Sequence, residues 1–209
     1  VEAVKKCKKK IDKEFWKGKK IYVGLDLSQT DDNTAVAYTT IAGNIVYYGG
    51  MCFIPAERIQ IKSNREKLDY KERIKVGECI ACGDSVIDYA EVERYILGLE
   101  DELEAEIVQI GYDRYNALST VQKLENSSVL HSPTKLLKEK ILKKEFCYNP
   151  NRLLEINFEN AKCIEDNNLN KYINKKKSTG KIDMIASLIN AMYLLEQDQL
   201  NNWDFISYS

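Results

Sequence analysis

The sequence predicts an α/β protein: a central mixed sheet, built on a three-strand antiparallel meander and flanked by helices. Three observations predict it. Residues 20–53 hold three apolar, β-branched or aromatic runs separated by polar turns, the pattern of consecutive strands. A further apolar run at 107–112 follows a helical stretch, as a strand does after a crossover helix. Finally, Ile185, Leu188, Ile189, Met192 and Leu195 recur at helical spacing near the end of the chain.

In order along the chain, residues 1–18 are Lys-rich and are expected to be a helical connector rather than core. Residues 20–28 read as a buried strand, and 33–41 as a second. Gly43-Asn44 supplies a turn, and 45–53 form the third strand. Pro55 opens a polar, helical or irregular stretch through Lys75. Asp88-Tyr-Ala-Glu91 resembles a capping box and starts a helix that runs to about Glu104. Residues 107–112 read as another buried strand. Helices are expected over 116–124, 135–144 and 182–195. Three strands, a helix, a strand, a helix and a closing helix make an arrangement consistent with an RNase H-like fold.

The 209 residues suffice for one domain with a substantial core. A 44% hydrophobic and 30% charged composition is ordinary for a globular protein. No apolar run approaches the ~18 residues of a membrane span, so no membrane partner is expected. The start of the chain has no signal-peptide core. It does not begin with Met and is read as a piece of a longer protein. The six cysteines are scattered and suit free thiols in a reducing cytosol. Cys79-Ile-Ala-Cys82 lacks the second pair that a zinc site needs.

Three aspartates carry the chemistry. Asp26 ends the run Ile21-Tyr-Val-Gly-Leu-Asp26, Asp113 ends Ile107-Val-Gln-Ile-Gly-Tyr-Asp113, and Asp183 stands in Gly180-Lys-Ile-Asp-Met184. Neighbouring strands can bring two carboxylates together at their open ends, and a helix across the sheet can add a third. Carboxylates held so close repel unless a cation lies between them. Hard divalent ions take oxygen ligands, so Mg²⁺ or Mn²⁺ suits such a cluster. Each aspartate also has a plain structural role open to it. Asp26 can close a strand-end turn with Ser28, Asp113 can cap a helix, and Asp183 can complement a helix N-terminus. Asp31 and Asp32 lie in the turn after the first strand, and Asp32 is a candidate outer-shell group. The net charge is −1; a nucleic-acid enzyme need not be basic overall but needs a local basic surface. Lys175, Lys176, Lys177 and Lys181, just before Asp183, are the candidates. The clusters at 5–10 and 135–144 read as solvated helix faces. Tyr115 is expected to pack, and the single His131 needs no role.

Taken in order, several motifs resemble the nuclease domain of tailed-phage terminase large subunits. They are Gly24-Leu-Asp-Leu-Ser28 with Asp32-Asn-Thr-Ala35, Gly83-Asp-Ser-Val-Ile-Asp-Tyr89, Gly111-Tyr-Asp-Arg-Tyr-Asn-Ala117, Ser132-Pro-Thr-Lys135, Asn149-Pro150, Asn160-Ala161 and Lys181-Ile-Asp-Met-Ile-Ala-Ser-Leu-Ile-Asn-Ala191. The resemblance covers about residues 18–197. It implies an RNase H-like nuclease over 19–209 that cuts concatemeric DNA with two metal ions, ligated here by Asp26, Asp113 and Asp183. It also implies an upstream ATPase domain, a small terminase subunit and a portal as partners beside double-stranded DNA. The implied setting is the host bacterial cytoplasm, and transiently the procapsid. No G-x-x-x-x-G-K-[ST] loop is present, so this chain is not expected to hydrolyse ATP. One departure is the short segment around Ser127, where the family has a longer stretch with another strand.

Other readings start from the same residues. A sugar-kinase or actin-like phosphotransferase shares the opening Gly24-Leu-Asp-Leu-Ser-Gln-Thr30, but needs a second domain and a second Gly-rich loop. A resolvase- or transposase-like nuclease would use the same carboxylates on four-way junctions. A non-catalytic module would only bind DNA or dock on the portal, and three aspartates would burden it.

Overall fold

The structure, a computed structural model, describes residues 1–27, 32–112, 133–165 and 171–206; side chains of residues 165, 171–172 and 200–206 are outside the description. The elements in chain order begin with α1 (Glu2–Lys5), β1 (Lys20–Asp26), β2 (Thr34–Ala42) and β3 (Ile45–Ile54). Next come α2 (Ile59–Glu66), α3 (Tyr70–Lys75), β4 (Cys79–Ala81), α4 (Tyr89–Leu103) and β5 (Glu106–Tyr112). The chain closes with α5 (Pro133–Leu142), β6 (Phe146–Tyr148), α6 (Arg152–Asn160), β7 (Cys163–Glu165), β8 (Lys171–Ile173) and α7 (Asp183–Ile206). The expected helix at 116–124, the short segment around Ser127, Tyr115 and His131 lie outside the described residues.

β1, β2 and β3 form the expected antiparallel meander, and β5 joins β1 in parallel. The sheet order is β4-β3-β2-β1-β5, and β6 also pairs with β3. β3 is long enough to take both partners on one edge: its residues 46–48 pair with β6 and 52–54 with β4, each in parallel. The sequence reading passed over β4, β6 and the β7–β8 hairpin because three-residue strands show no periodicity.

The first three strands read as continuous apolar runs because helices cover both faces of the sheet. On one face Tyr22, Ala35, Ala37 and Tyr48 meet Leu188, Ala191, Met192 and Leu195 of α7. On the other, Ile21, Val23, Leu25, Val36 and Phe53 meet Val92, Ile96, Leu99 and Leu103 of α4. Helix α4 starts where the capping pattern places it, with the Asp88 carboxylate accepting from the Ala90 amide. Cys79 belongs to the first cluster and Cys82 to the second, so the two thiols of the CxxC lie on opposite faces of the sheet.

Two expectations are corrected. The strand at 106–112 is an edge strand, not a buried one: Val108, Ile110 and Tyr112 are exposed, since β5 has β1 as its one partner in the described sheet. Residues 1–18 are not a helical connector set apart from the core. Only Glu2–Lys5 and a 3-10 turn at Lys13–Trp16 are helical, and Val4, Cys7, Ile11 and Trp16 are buried in the two clusters. Four apolar side chains spaced through the Lys-rich segment draw it onto the sheet, where Lys8 bridges to Tyr148.

Candidate active site

Alternation along β1 sends Tyr22, Gly24 and Asp26 toward α7. Tyr22 donates its hydroxyl to Asp198 at 2.6 Å, one end of the contact between helix and strand. Gly24 lies beneath the helix backbone: a Cβ there would stand 2.1 Å from the Ser187 carbonyl oxygen and 2.3 Å from the Ala191 nitrogen. Only glycine permits so close an approach. Asn190 then donates from Nδ2 to the Leu25 carbonyl at 2.7 Å. These contacts lead from the middle of α7 toward its first residue, Asp183, at the end of β1 that carries Asp26.

The start of α7 is fixed from a second side. The Asn157 side chain on α6 accepts from the Met184 amide at 3.0 Å, and Asn160 donates to the Lys181 carbonyl at 3.1 Å. Helix α6 is anchored in turn by Glu78. Its two carboxylate oxygens accept from the Arg152 and Leu153 amides, both at 2.9 Å, and from Arg73.

Asp183 is buried. Its carboxyl is raised to about 7, first by burial and then by the negative charge of Asp26, against the opposing pull of Lys181 and Lys175. Asp26 and Asp183 thus act on each other as like charges in a poorly solvated place. The Lys175 ammonium donates to both oxygens of Asp26, at 2.7 and 2.8 Å. Lys175 stands on a 3-10 turn, Lys175–Lys177, whose entry is capped by the Asn174 side chain accepting from the Lys177 amide.

A second charged group adjoins the first. Lys181 is hydrogen-bonded to Asp32, and Lys62 lies 3.7 Å from the same carboxylate oxygen. Burial pushes the Asp32 carboxyl up, but the hydrogen bond and charge of Lys181, with Lys62 and Arg65, outweigh it and hold it below its ordinary value. Lys62 is 2% exposed and its ammonium has no hydrogen-bond partner among the described residues. Burial lowers its pKa, and the charge of Lys181 adds to that. Beside this group opens a cleft of about 650 Å³ lined by Arg65, Lys67, Asn157, Asn160, Thr179 and Lys181 together with the carboxylates of Asp32 and Glu66. Its cations and amides are donors of the kind that bind phosphate oxygens.

Of the expected site residues, Asp26, Asp183, Asp32, Lys175 and Lys181 come together. Lys176 and Lys177 are exposed on the same turn as Lys175. Asp113 lies outside the described residues, one position past Tyr112, the last residue of β5 paired with Leu25. Among the described residues no three His, Cys, Asp or Glu side chains form a metal-holding group. Sequence reading missed Lys62, Asn157 and Asn190. Lys62 looks like any solvated lysine of a polar stretch. Asn190, within the closing motif, carried no sign of its contact to β1.

The family model for the terminase large subunit endonuclease domain matches residues 2–198. Among solved structures, the chain is similar to the large terminase of bacteriophage HK97, at 17% identity over 91% of this chain and 42% of that one, with a TM-score of 0.76. It is also similar to the large terminase nuclease of thermophilic phage G20c with bound magnesium (12% identity, 84% and 81% of the two chains, TM-score 0.40). A third similar structure is the human cytomegalovirus terminase nuclease domain, manganese-soaked and inhibitor-bound (12% identity, 86% and 84%, TM-score 0.38). The HK97 likeness shows the fold, which is the RNase H-like fold of terminase nucleases. The chain spans 42% of the HK97 large terminase. No curated protein sequence matches it. No helix among the described residues is long and apolar enough to cross a membrane.

Proposed function

Because the chain belongs to the terminase large subunit endonuclease family, we propose that it is a divalent-metal-dependent DNA endonuclease that cuts concatemeric viral DNA during genome packaging. One observation carries the reading: Asp26 and Asp183, from two elements far apart in sequence, share one partly buried site flanked by Lys175 and Lys181. A buried carboxylate whose protonation is raised by a second one beside it, as that of Asp183 is by Asp26, calls for a cation between them. An all-oxygen donor set fits Mg²⁺ or Mn²⁺.

Asp26, Asp183 and Asp113 would hold two such ions. The assignment of Asp113 is supported by the parallel register of β5 on β1, which runs to the Leu25–Tyr112 pair just before Asp26 and Asp113. When bound, the ions supply activation of the attacking water and neutralisation of the leaving oxygen. The protein's own part is placement. Gly24 and Asn190 hold α7 on β1, and Asn157 holds the first turn of α7, so the two carboxylates keep a fixed separation. Lys176, Lys177 and Lys181 offer cations to the DNA backbone, and Lys175 a fourth. Asp32 acts in the outer shell by steadying Lys181.

The partner is double-stranded DNA. In the longer protein an upstream ATPase domain precedes this nuclease domain, whose core takes in Val4, Cys7, Ile11 and Trp16 of the first segment, and the small subunit and portal bring substrate and procapsid. The reaction takes place in the host bacterial cytoplasm and at the procapsid. This chain alone carries out hydrolysis of DNA and not of ATP.

The test is cleavage of supercoiled plasmid with Mg²⁺, with Mn²⁺ and with chelator, beside Asp26→Ala. Metal-dependent nicking and linearisation that disappear in the variant are expected. Cleavage that survives in Asp26→Ala, or no cleavage with either metal, overturns the reading.

A further inference from the structure

Lys175 does more than decorate a basic surface. Its ammonium donates to both oxygens of Asp26, at 2.7 and 2.8 Å, the length of a charge-assisted hydrogen bond. The Asp26 side chain is 12% exposed, and that of Lys175 is 47% exposed, so the carboxylate is the fixed partner and the lysine the one with room to leave. The turn beneath it is short, capped by Asn174 and continuous with Lys176 and Lys177, both in solvent. A divalent ion that takes Asp26 as ligand needs those same oxygens.

We propose that Lys175 is an internal competitor for the metal: its ammonium and a divalent cation exclude each other on Asp26, and a DNA phosphate that draws Lys175 away opens Asp26 to the ion. The inference rests on the metal-dependent reading above and adds a coupling to it. A single +1 charge is exchanged for a +2 ion, and the freed lysine passes to the phosphodiester backbone, so no charge is stranded in the site. Metal and DNA then bind with positive coupling. Because linkage is reciprocal, DNA raises the affinity for metal by the same factor as metal raises the affinity for DNA. The domain is held with low metal affinity until a duplex lies across the Lys175–Lys177 turn, which restrains cutting away from substrate.

The test is direct Mn²⁺ binding, by electron paramagnetic resonance of the free ion and by calorimetry. It uses the full chain without DNA and compares wild type, Lys175→Ala, Lys175→Gln and Asp26→Asn. Lys175→Ala and Lys175→Gln are expected to bind Mn²⁺ more tightly than wild type by on the order of tenfold, and Asp26→Asn more weakly. A non-cleavable duplex with phosphorothioate linkages is expected to tighten Mn²⁺ binding in wild type and to do so far less in Lys175→Ala. Equal or weaker Mn²⁺ binding in both Lys175 variants, with Asp26→Asn still impaired, overturns the competitor and leaves the metal site intact. Absence of Mn²⁺ binding in wild type and both Lys175 variants alike overturns the metal-dependent reading, and the competitor with it. Circular dichroism of each variant separates these outcomes from loss of fold.

Discussion

Asn190 donates its side-chain amide to the Leu25 carbonyl at 2.7 Å, which pins the closing helix to the first strand one residue before Asp26. A side chain in the second turn of α7 thereby sets where its first residue, Asp183, stands against the end of β1. The neighbouring Gly24 makes that pin workable by letting the two backbones touch.

Gly24→Ala is expected to be costly out of proportion to one methyl group. The added Cβ would fall 2.1 Å from a backbone oxygen and 2.3 Å from a backbone nitrogen, which no rotamer change relieves. Helix α7 must lift from β1. A loss of about 3 kcal/mol, the upper part of the overpacking range, is expected in urea unfolding, together with loss of plasmid cleavage in the fraction that still folds.

Asp183 predicts a pH dependence of stability. Its folded pKa, about 7, is raised above the ordinary 3.8 by burial and then by Asp26. The stability it contributes is therefore fully present below pH 3.8 and is lost as pH rises through about 7. Asp183→Asn has no charge to bury. Its melting temperature should exceed that of wild type at pH 8, by an amount worth at most ~4 kcal/mol, and the gap should close toward pH 4. Divalent metal should reverse the order at pH 8, because only the aspartate gains a ligand bond.

Lys62 predicts the opposite slope. Burial and then Lys181 lower its pKa, so the folded state holds its proton less firmly than the unfolded chain. The resulting penalty is full below the folded pKa and fades as pH climbs toward the unfolded lysine value of about 10.4. Replacing the buried ammonium by an apolar side chain of similar length, as in Lys62→Met, is expected to stabilise the domain by about 1–2 kcal/mol at pH 7. Denaturant midpoints at pH 7 and pH 10 should show the gain shrinking.

Glu78 supports the site at one remove. It accepts two backbone amides at the start of α6 and a guanidinium from Arg73. Glu78→Ala leaves those buried donors unmet and should cost about 2–3 kcal/mol. Loosening of α6 releases Asn157 from the Met184 amide, so metal affinity should fall with stability, although Glu78 touches neither carboxylate of the site.

Lys176 and Lys177 are expected to meet phosphates. Each alanine variant should weaken duplex binding equally across sequences and reduce the slope of log affinity against log salt by about 0.9. An unchanged slope would place the DNA track elsewhere, along the cleft that Arg65 and Lys67 line.

The sequence by itself determined the four long strands β1, β2, β3 and β5 and the chemistry on offer. Long apolar runs ending in Asp26 and Asp113, and a closing helix headed by Asp183, are local patterns. Periodicity and caps read them directly, as at Asp88 and at the meander of β1 to β3. Asp113 lies outside the described residues, one position past the Leu25–Tyr112 pair. Only the tertiary structure decided which charges meet. Lys175 and Asp26 are 149 residues apart, as are Lys181 and Asp32, and Lys62 is buried although Ile61 before it is exposed and residues 63–67 after it are polar. The edge exposure of β5 and the burial of Trp16 likewise depend on which elements pack beside them. Contacts of this kind carry no periodic trace, because burial and pairing of a polar side chain are set by whichever distant element arrives opposite it.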